Sequence, residues 1–171
     1  MRRTFYNLVF ISLITLSANG QGLDSVALSK SIIEQADTIA NILLRKDYKL
    51  YVKFIYPELV KQAGGEIAMA KLISNAMKEN IESKGYELTS VKFGSPSSII
   101  KNANELQSTL PQIITLSLRS RQFETKSTLI AISTDNGKNW KFLDTSGRSI
   151  AEMRRSFPNL SSRLIIPKYE N

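Results

Sequence analysis

Two aspartates and a run of tyrosines carry the catalytic potential of this chain. Asp47 stands beside Tyr48, Tyr51 and Tyr56 in "KDYKLYVKFIYPELV", and Asp144 closes the apolar stretch "WKFLD". A carboxylate whose pKa is raised by burial can take a proton from carbon next to a carbonyl, and a tyrosine hydroxyl can stabilise the resulting enolate. Both aspartates also suit plainer roles, Asp47 as a helix cap and Asp144 as a turn residue at a strand end. The chain contains no histidine and no cysteine. Ser-His and Cys-His nucleophiles, His-ligated zinc and the commonest general base near neutral pH are therefore excluded. An enzyme built from this sequence would have to work with Asp, Glu, Tyr, Lys or Arg, and no metal or cofactor is expected.

Binding chemistry has two sources. The aromatic group Tyr51, Phe54 and Tyr56, approached by Trp140 from a later strand, could line a pocket for a small apolar ligand. The same rings could equally be core and surface. Arg119, Arg121 and Lys126 form one basic group, and Arg154 and Arg155, with Arg148 and Arg163, form a looser one. They could hold a carboxylate, a phosphate or an acidic partner, or be solvated faces. The formal charge is +8, about +6 without the two arginines of the leader described below. Its first meaning is solubility, its second a weak attraction to polyanions such as lipid head groups, and nucleic acid is an unlikely partner.

The elements that would position these residues follow from periodicity. From Asp24 to Arg45, apolar residues at Leu28, Ile32, Ala36, Ile39 and Leu43 mark one amphipathic helix, capped by Asp24 or Ser25. Asp47 would cap a short helix through about Ile55, and Pro57 would open another that Gly64 and Gly65 stop. From Glu66 to Lys84 the helical pattern returns, with Ala70, Ile73, Met77 and Ile81 on one face and Gly85 as a left-handed stop. The period then changes. "YELTSVKF" reads as a strand, and Leu106 to Leu118 alternate as a strand with one buried face, where Pro111 implies an edge or a bulge. "RSRQ" should turn the chain into "ETKSTLIAIS", giving three or four strands in an antiparallel meander. Ser149 and Glu152 have capping-box spacing for a short helix before Pro158, and "RLIIP" adds a strand or packs as a tail.

The stretch "STDNGKNW", from Ser133 to Trp140, is the one with the look of a named motif. Asp135 can bond to nearby amides, Asn136 and Gly137 tolerate positive φ, and Trp140 can fold over the turn, so Ser133, Asp135, Gly137 and Trp140 read as a structural hairpin. It resembles the Asp-box of sialidases and related propellers, with Asn139 where that family usually has Thr. The resemblance implies a hairpin away from any active site and no activity. The oxygen spacing of an EF-hand calcium loop is missing.

The opening "MRRTFYNLVFISLITLSANGQG" has a basic start, an apolar run and small residues at Ala18 and Gly20. It reads as a secretory signal peptide over residues 1–20, because the apolar run is shorter than the roughly 20 residues a membrane span needs. Residues 21–171 are then expected to form a single α+β domain, exported to a bacterial periplasm or outer surface, without a transmembrane segment in the mature form.

Helices first and an antiparallel sheet afterwards predict an α+β fold with N-terminal helices packed on a curved sheet. This order, with "LLRKDYKLYVKFIYPELVKQAGG" followed by "TLIAISTDNGKNWKFLDTSG", resembles the nuclear-transport-factor-2-like superfamily, also called cystatin-like, and within it small exported members of Bacteroidetes-type bacteria. The resemblance implies a cone-shaped fold whose open end takes apolar ligands and whose outer sheet face makes homodimers. Enzymatic members, such as ketosteroid isomerases and polyketide cyclases, use an Asp or His base, but no catalytic motif transfers to this chain residue by residue. The expected function is that of an exported non-catalytic domain binding a small ligand or a protein partner. The rivals are a histidine-free isomerase, dehydratase or cyclase using Asp47 or Asp144 with a tyrosine, and a basic envelope adaptor for an anionic partner.

Overall fold

A computed structural model describes residues 24–169. The expected signal peptide lies outside the described residues. Among those described, no helix is long and apolar enough to cross a membrane.

Helix α1 (Ser25–Leu44) starts where the Asp24 carboxylate accepts the N–H groups of Val26 and Ala27, satisfying two of the donors a helix start leaves free. Its expected apolar stripe is buried, together with Ala40 and Ile42. Three helices follow. Helix α2 (Tyr48–Val52) is capped by Asp47, which accepts the Leu50 N–H at 3.1 Å. Helix α3 (Pro57–Gln62) opens on its proline, and α4 (Glu66–Asn80) follows Gly64 and Gly65. Two helices end earlier than their periodicity implied. Past Val52 the chain extends, so that the Phe54 carbonyl accepts the Phe142 N–H at 2.7 Å and the Tyr56 N–H donates back to Phe142 at 3.0 Å. Past Asn80 the chain tightens into a 3-10 turn at Glu82–Lys84, which Gly85 ends at φ 78, a conformation glycine adopts without strain.

The sheet is open, antiparallel and five-stranded. It comprises β1 (Glu87–Phe93), β2 (Ile100–Asn102), β3 (Glu105–Leu118), β4 (Arg121–Ser133) and β5 (Lys141–Asp144), in the order β1-β3-β4-β5 with β2 also on β3. The fold is thus α+β. Strands β3 and β4 pair from Leu106 opposite Ser133 to Leu118 opposite Arg121. The turn expected over "RSRQ" is only two residues, Arg119 and Ser120, both at positive φ, the pattern of a type I′ hairpin. The three-residue β2 has too short an alternation to announce itself.

Two expectations about the long strand are corrected. Pro111 marks neither an edge strand nor a bulge, since β3 is central. It faces the gap where β1 has ended at Phe93 and β2 has not begun, with its carbonyl accepting the Gly94 N–H at 2.9 Å, and a missing donor costs little there. The strand is also buried on both faces in its first half. Leu106 and Leu110 pack on Leu28, Ile32 and Ala36, which defines the inner face. On the outer face, Ile130, Ile132 and Leu143 meet helix α5 (Ile150–Ser156) and the tail through Met153, Phe157, Leu160 and Leu164. "RLIIP" is therefore a packed tail. Gln107, polar in the alternation, is buried because its carbonyl oxygen accepts the Ser161 N–H and its amide donates to the Asn159 carbonyl.

The far half of the sheet, towards Arg119, has no such outer cover: Arg121 to Lys126 are exposed. On the inner side, α4 packs against α2 and its expected apolar face is only partly closed. Met69 and Ala70 are buried, whereas Ile73, Met77 and Ile81 are half-buried.

Candidate functional site

A cavity of about 240 Å³ lies between α2, α3, α4, the end of α1 and the inner face of the sheet. Ile39, Leu43, Ile73, Met77, Ile114 and Leu129 give it apolar walls, with the rings of Phe54 and Phe142. It exists because α4 leans on α2, leaving Ile73 and Met77 facing the strands across a gap. Three polar side chains reach it: Tyr51 from α2, Gln112 from β3 and Asp144 from the end of β5.

Tyr51 is carried by α2, and the other two arrive by the pleat of the sheet. Asp144 pairs with Leu129 on β4, and Gln112 pairs with Ser127 two residues along the same strand, so both belong to the inner face. Gln112 is only 4 % exposed. Its amide oxygen accepts the Ser127 hydroxyl at 3.0 Å, and among the described residues its amide nitrogen donates to no protein group. Burial, and then the charge of Asp144, push the Tyr51 hydroxyl up to about 12, so it remains a neutral donor through the physiological range. Tyr51 is half-buried and lines the cavity. The Asp144 carboxyl is pushed upward by the surrounding protein and held down by the Ser146 N–H, which donates to it at 2.6 Å, and by Arg148. Asp144 is nevertheless exposed, which makes it a rim group in contact with water.

The structure thus brings Tyr51 and Phe54 together with Asp144 and places the other candidates elsewhere. Tyr56 packs edge-on against Phe157 under the outer face, with ring centroids 5.9 Å apart. Trp140 is 1 % exposed and lies in the core with Leu28 and Ile32. Its indole N–H is buried without a partner among the described residues. Asp47 is the cap of α2 and lines a separate groove of about 710 Å³ between α2 and α4, alongside Lys46, Lys49, Lys53 and Lys71. The two candidate bases therefore occupy different sites.

The basic candidates divide in the same way. Arg119 and Arg121 stand at the hairpin tip, with Lys126 further along β4. Arg154 and Arg155 sit on α5, beside the opposite end of a strand roughly 40 Å long. Two of the C-terminal arginines tie down the tail: Arg154 donates to the Leu160 carbonyl and Arg163 to that of Lys101, while Arg148 closes the turn before α5 by donating to the Thr145 carbonyl.

Apart from the indole N–H of Trp140, the Ser133–Trp140 loop is a closed hydrogen-bond unit. The Ser133 hydroxyl donates to Asp135 at 2.8 Å and accepts the Gly137 N–H at 2.9 Å, while Asp135 accepts both the backbone and side-chain N–H groups of Asn139. Those Asn139 bonds hold the Asp135 carboxyl down at about 2. Helix α1 seals the loop from below. Ser31 donates to the Gly137 carbonyl, and Gln35 both donates to the Lys138 carbonyl and accepts the Trp140 N–H.

Gln112, Ile73 and Met77 escape a search for catalytic side chains. Gln112 carried a usable signal, since it is the polar residue in the inward series Leu110, Gln112, Ile114. No protein-family model, curated protein or solved structure matches the chain.

Proposed function

We propose that this protein is an exported, non-catalytic domain that holds a small apolar or amphipathic molecule in the cavity between α4 and the sheet, on a nuclear-transport-factor-2-like scaffold. One observation carries the reading: an apolar cavity met by three polar side chains, two of which retain donors with no protein partner. Apolar walls with a few convergent polar groups are the usual composition of a small-molecule site. Its volume falls below the roughly 300–1,000 Å³ of typical sites, which calls for a small ligand.

Binding is favoured over catalysis by the state of Asp144. An Asp base working with Tyr51 would need a carboxylate free of competing partners, whereas Asp144 stands at an exposed rim, where the Ser146 N–H and the charge of Arg148 oppose the upward push of the surrounding protein. The adaptor reading loses support because its two basic groups lie far apart along β4. Titration with the uncharged dye N-phenyl-1-naphthylamine tests the proposal. Saturable fluorescence enhancement is expected for the wild-type protein and its loss in Ile73→Trp, where the new ring fills the gap. Equal enhancement in both proteins would rule the cavity out as the site.

A further inference from the structure

We infer that the cavity, taken as the binding site proposed above, selects its ligand by head group: it accepts an uncharged amphiphile that offers a hydrogen-bond acceptor to Gln112 and Tyr51, and it rejects carboxylates. The first argument is the charge of the lining. It contains one acid, Asp144, and no lysine or arginine. A carboxylate entering this space would lose its hydration, find no cation among the lining side chains, since Arg148 lies outside them, and face a like charge, a combination that strongly opposes burial.

The second argument is the hydrogen-bond inventory. Gln112 has its oxygen committed to Ser127, which leaves the amide N–H groups as its available capacity. The Tyr51 hydroxyl makes no hydrogen bond among the described residues and stays protonated. Both groups therefore ask for an acceptor, and a carbonyl or hydroxyl oxygen supplies one without bringing a charge.

The third argument removes the opposite charge. An ammonium head could pair with Asp144, but one Asp144 oxygen already takes the Ser146 N–H and Arg148 supplies a positive charge beside it. Deeper in, Gln112 and Tyr51 present donors that an ammonium cannot use. What remains favourable is a neutral molecule with its acceptor at the buried end.

Four eight-carbon probes separate these chemistries: octan-2-one, 1-octanol, octanoate and octylammonium. Each is titrated at neutral pH into the full mature protein while the isoleucine methyl signals of Ile39, Ile73 and Ile114 are followed by NMR. The ketone and the alcohol are expected to bind at least tenfold more tightly than octanoate and more tightly than octylammonium. Gln112→Leu should reduce the advantage of the ketone, and Asp144→Asn should improve octanoate selectively. Octanoate or octylammonium binding as tightly as the ketone would overturn the selectivity while leaving the cavity as a binding site. If no probe moves these methyl signals, the binding site itself is wrong and the selectivity falls with it.

Discussion

The Ser133–Trp140 loop and the cavity under α4 both set polar groups against the inner layer of the molecule, and they treat those groups oppositely. In the loop, Ser133, Asp135 and Asn139 bond to one another, while Ser31 and Gln35 of α1 close the remaining backbone positions. In the cavity, Gln112 and Tyr51 keep donors that no described residue accepts, and the apolar side chains of α4 stop short of the strands. A polar cluster whose capacity is met internally fixes structure, because removing one member strands the others. A cluster with capacity left over is suited to a ligand. The loop should therefore answer to mutation through stability, and the cavity through binding.

The largest effects should come from the loop's anchor. Trp140→Ala removes a fully buried ring and should cost about 3–5 kcal/mol, read as a fall in denaturant midpoint. Gly137→Ala acts at φ 86, where an added methyl would run into Leu28, and should cost about 2 kcal/mol or more. If either variant unfolds like the wild type, the loop is not the structural element described here.

Gln35→Ala comes next. It leaves the Trp140 N–H without its acceptor, and a loss of about 1–3 kcal/mol is expected in equilibrium unfolding. A value near zero would mean that α1 does not seal the loop.

Acid titration sharpens the comparison further. The folded-state pKa of Asp135 is depressed to about 2 from 3.8, first by the Asn139 bonds. Its contribution to stability is therefore fully present above about pH 4 and is lost as pH falls through about 2. Thermal unfolding between pH 5 and 2 should show this loss in the wild type and a flatter profile in Asp135→Asn. Tyr51 behaves in the opposite sense. Its folded pKa is raised to about 12 from 10.0, so its contribution is complete below about pH 10 and is lost as pH rises through about 12, a loss that Tyr51→Phe should reduce.

The smallest effects on stability should belong to the cavity. Ile73→Trp and Tyr51→Phe are expected to change unfolding free energy by less than about 1 kcal/mol, because neither empties a packed space nor breaks a hydrogen bond within the fold. A large destabilisation from either would turn the cavity into ordinary core.

Much of this division could be read from the chain. The stripe from Leu28 to Leu43 required a partner surface, and the residues of "STDNGKNW" named their own turn chemistry through Asp135 and Gly137. The capping box of Ser149 and Glu152 formed as its spacing implied. The cavity was legible through Tyr51, Phe54 and Asp144, and through Gln112 as the polar residue of an inward series. Periodicity says which face of α4 is apolar, but not that the helix leans on α2 and leaves Ile73 and Met77 half covered. Burial of both faces of β3 was hidden for a similar reason. The cover comes from α5 and a tail far along the chain, which turn Gln107 into a buried, bonded residue. Sequence proximity and aromatic character do not show that Tyr56 lies under the outer face of the sheet, or that Trp140 is packed against α1 on the inner face.

Native mass spectrometry of the protein, isolated from its own source without denaturation, gives the most direct test. A small neutral molecule should be retained by the wild-type protein and absent from Ile73→Trp. A ligand-free mass in the wild type that stays unchanged after addition of octan-2-one, or a ligand retained equally by the filled variant, would contradict ligand binding in the cavity.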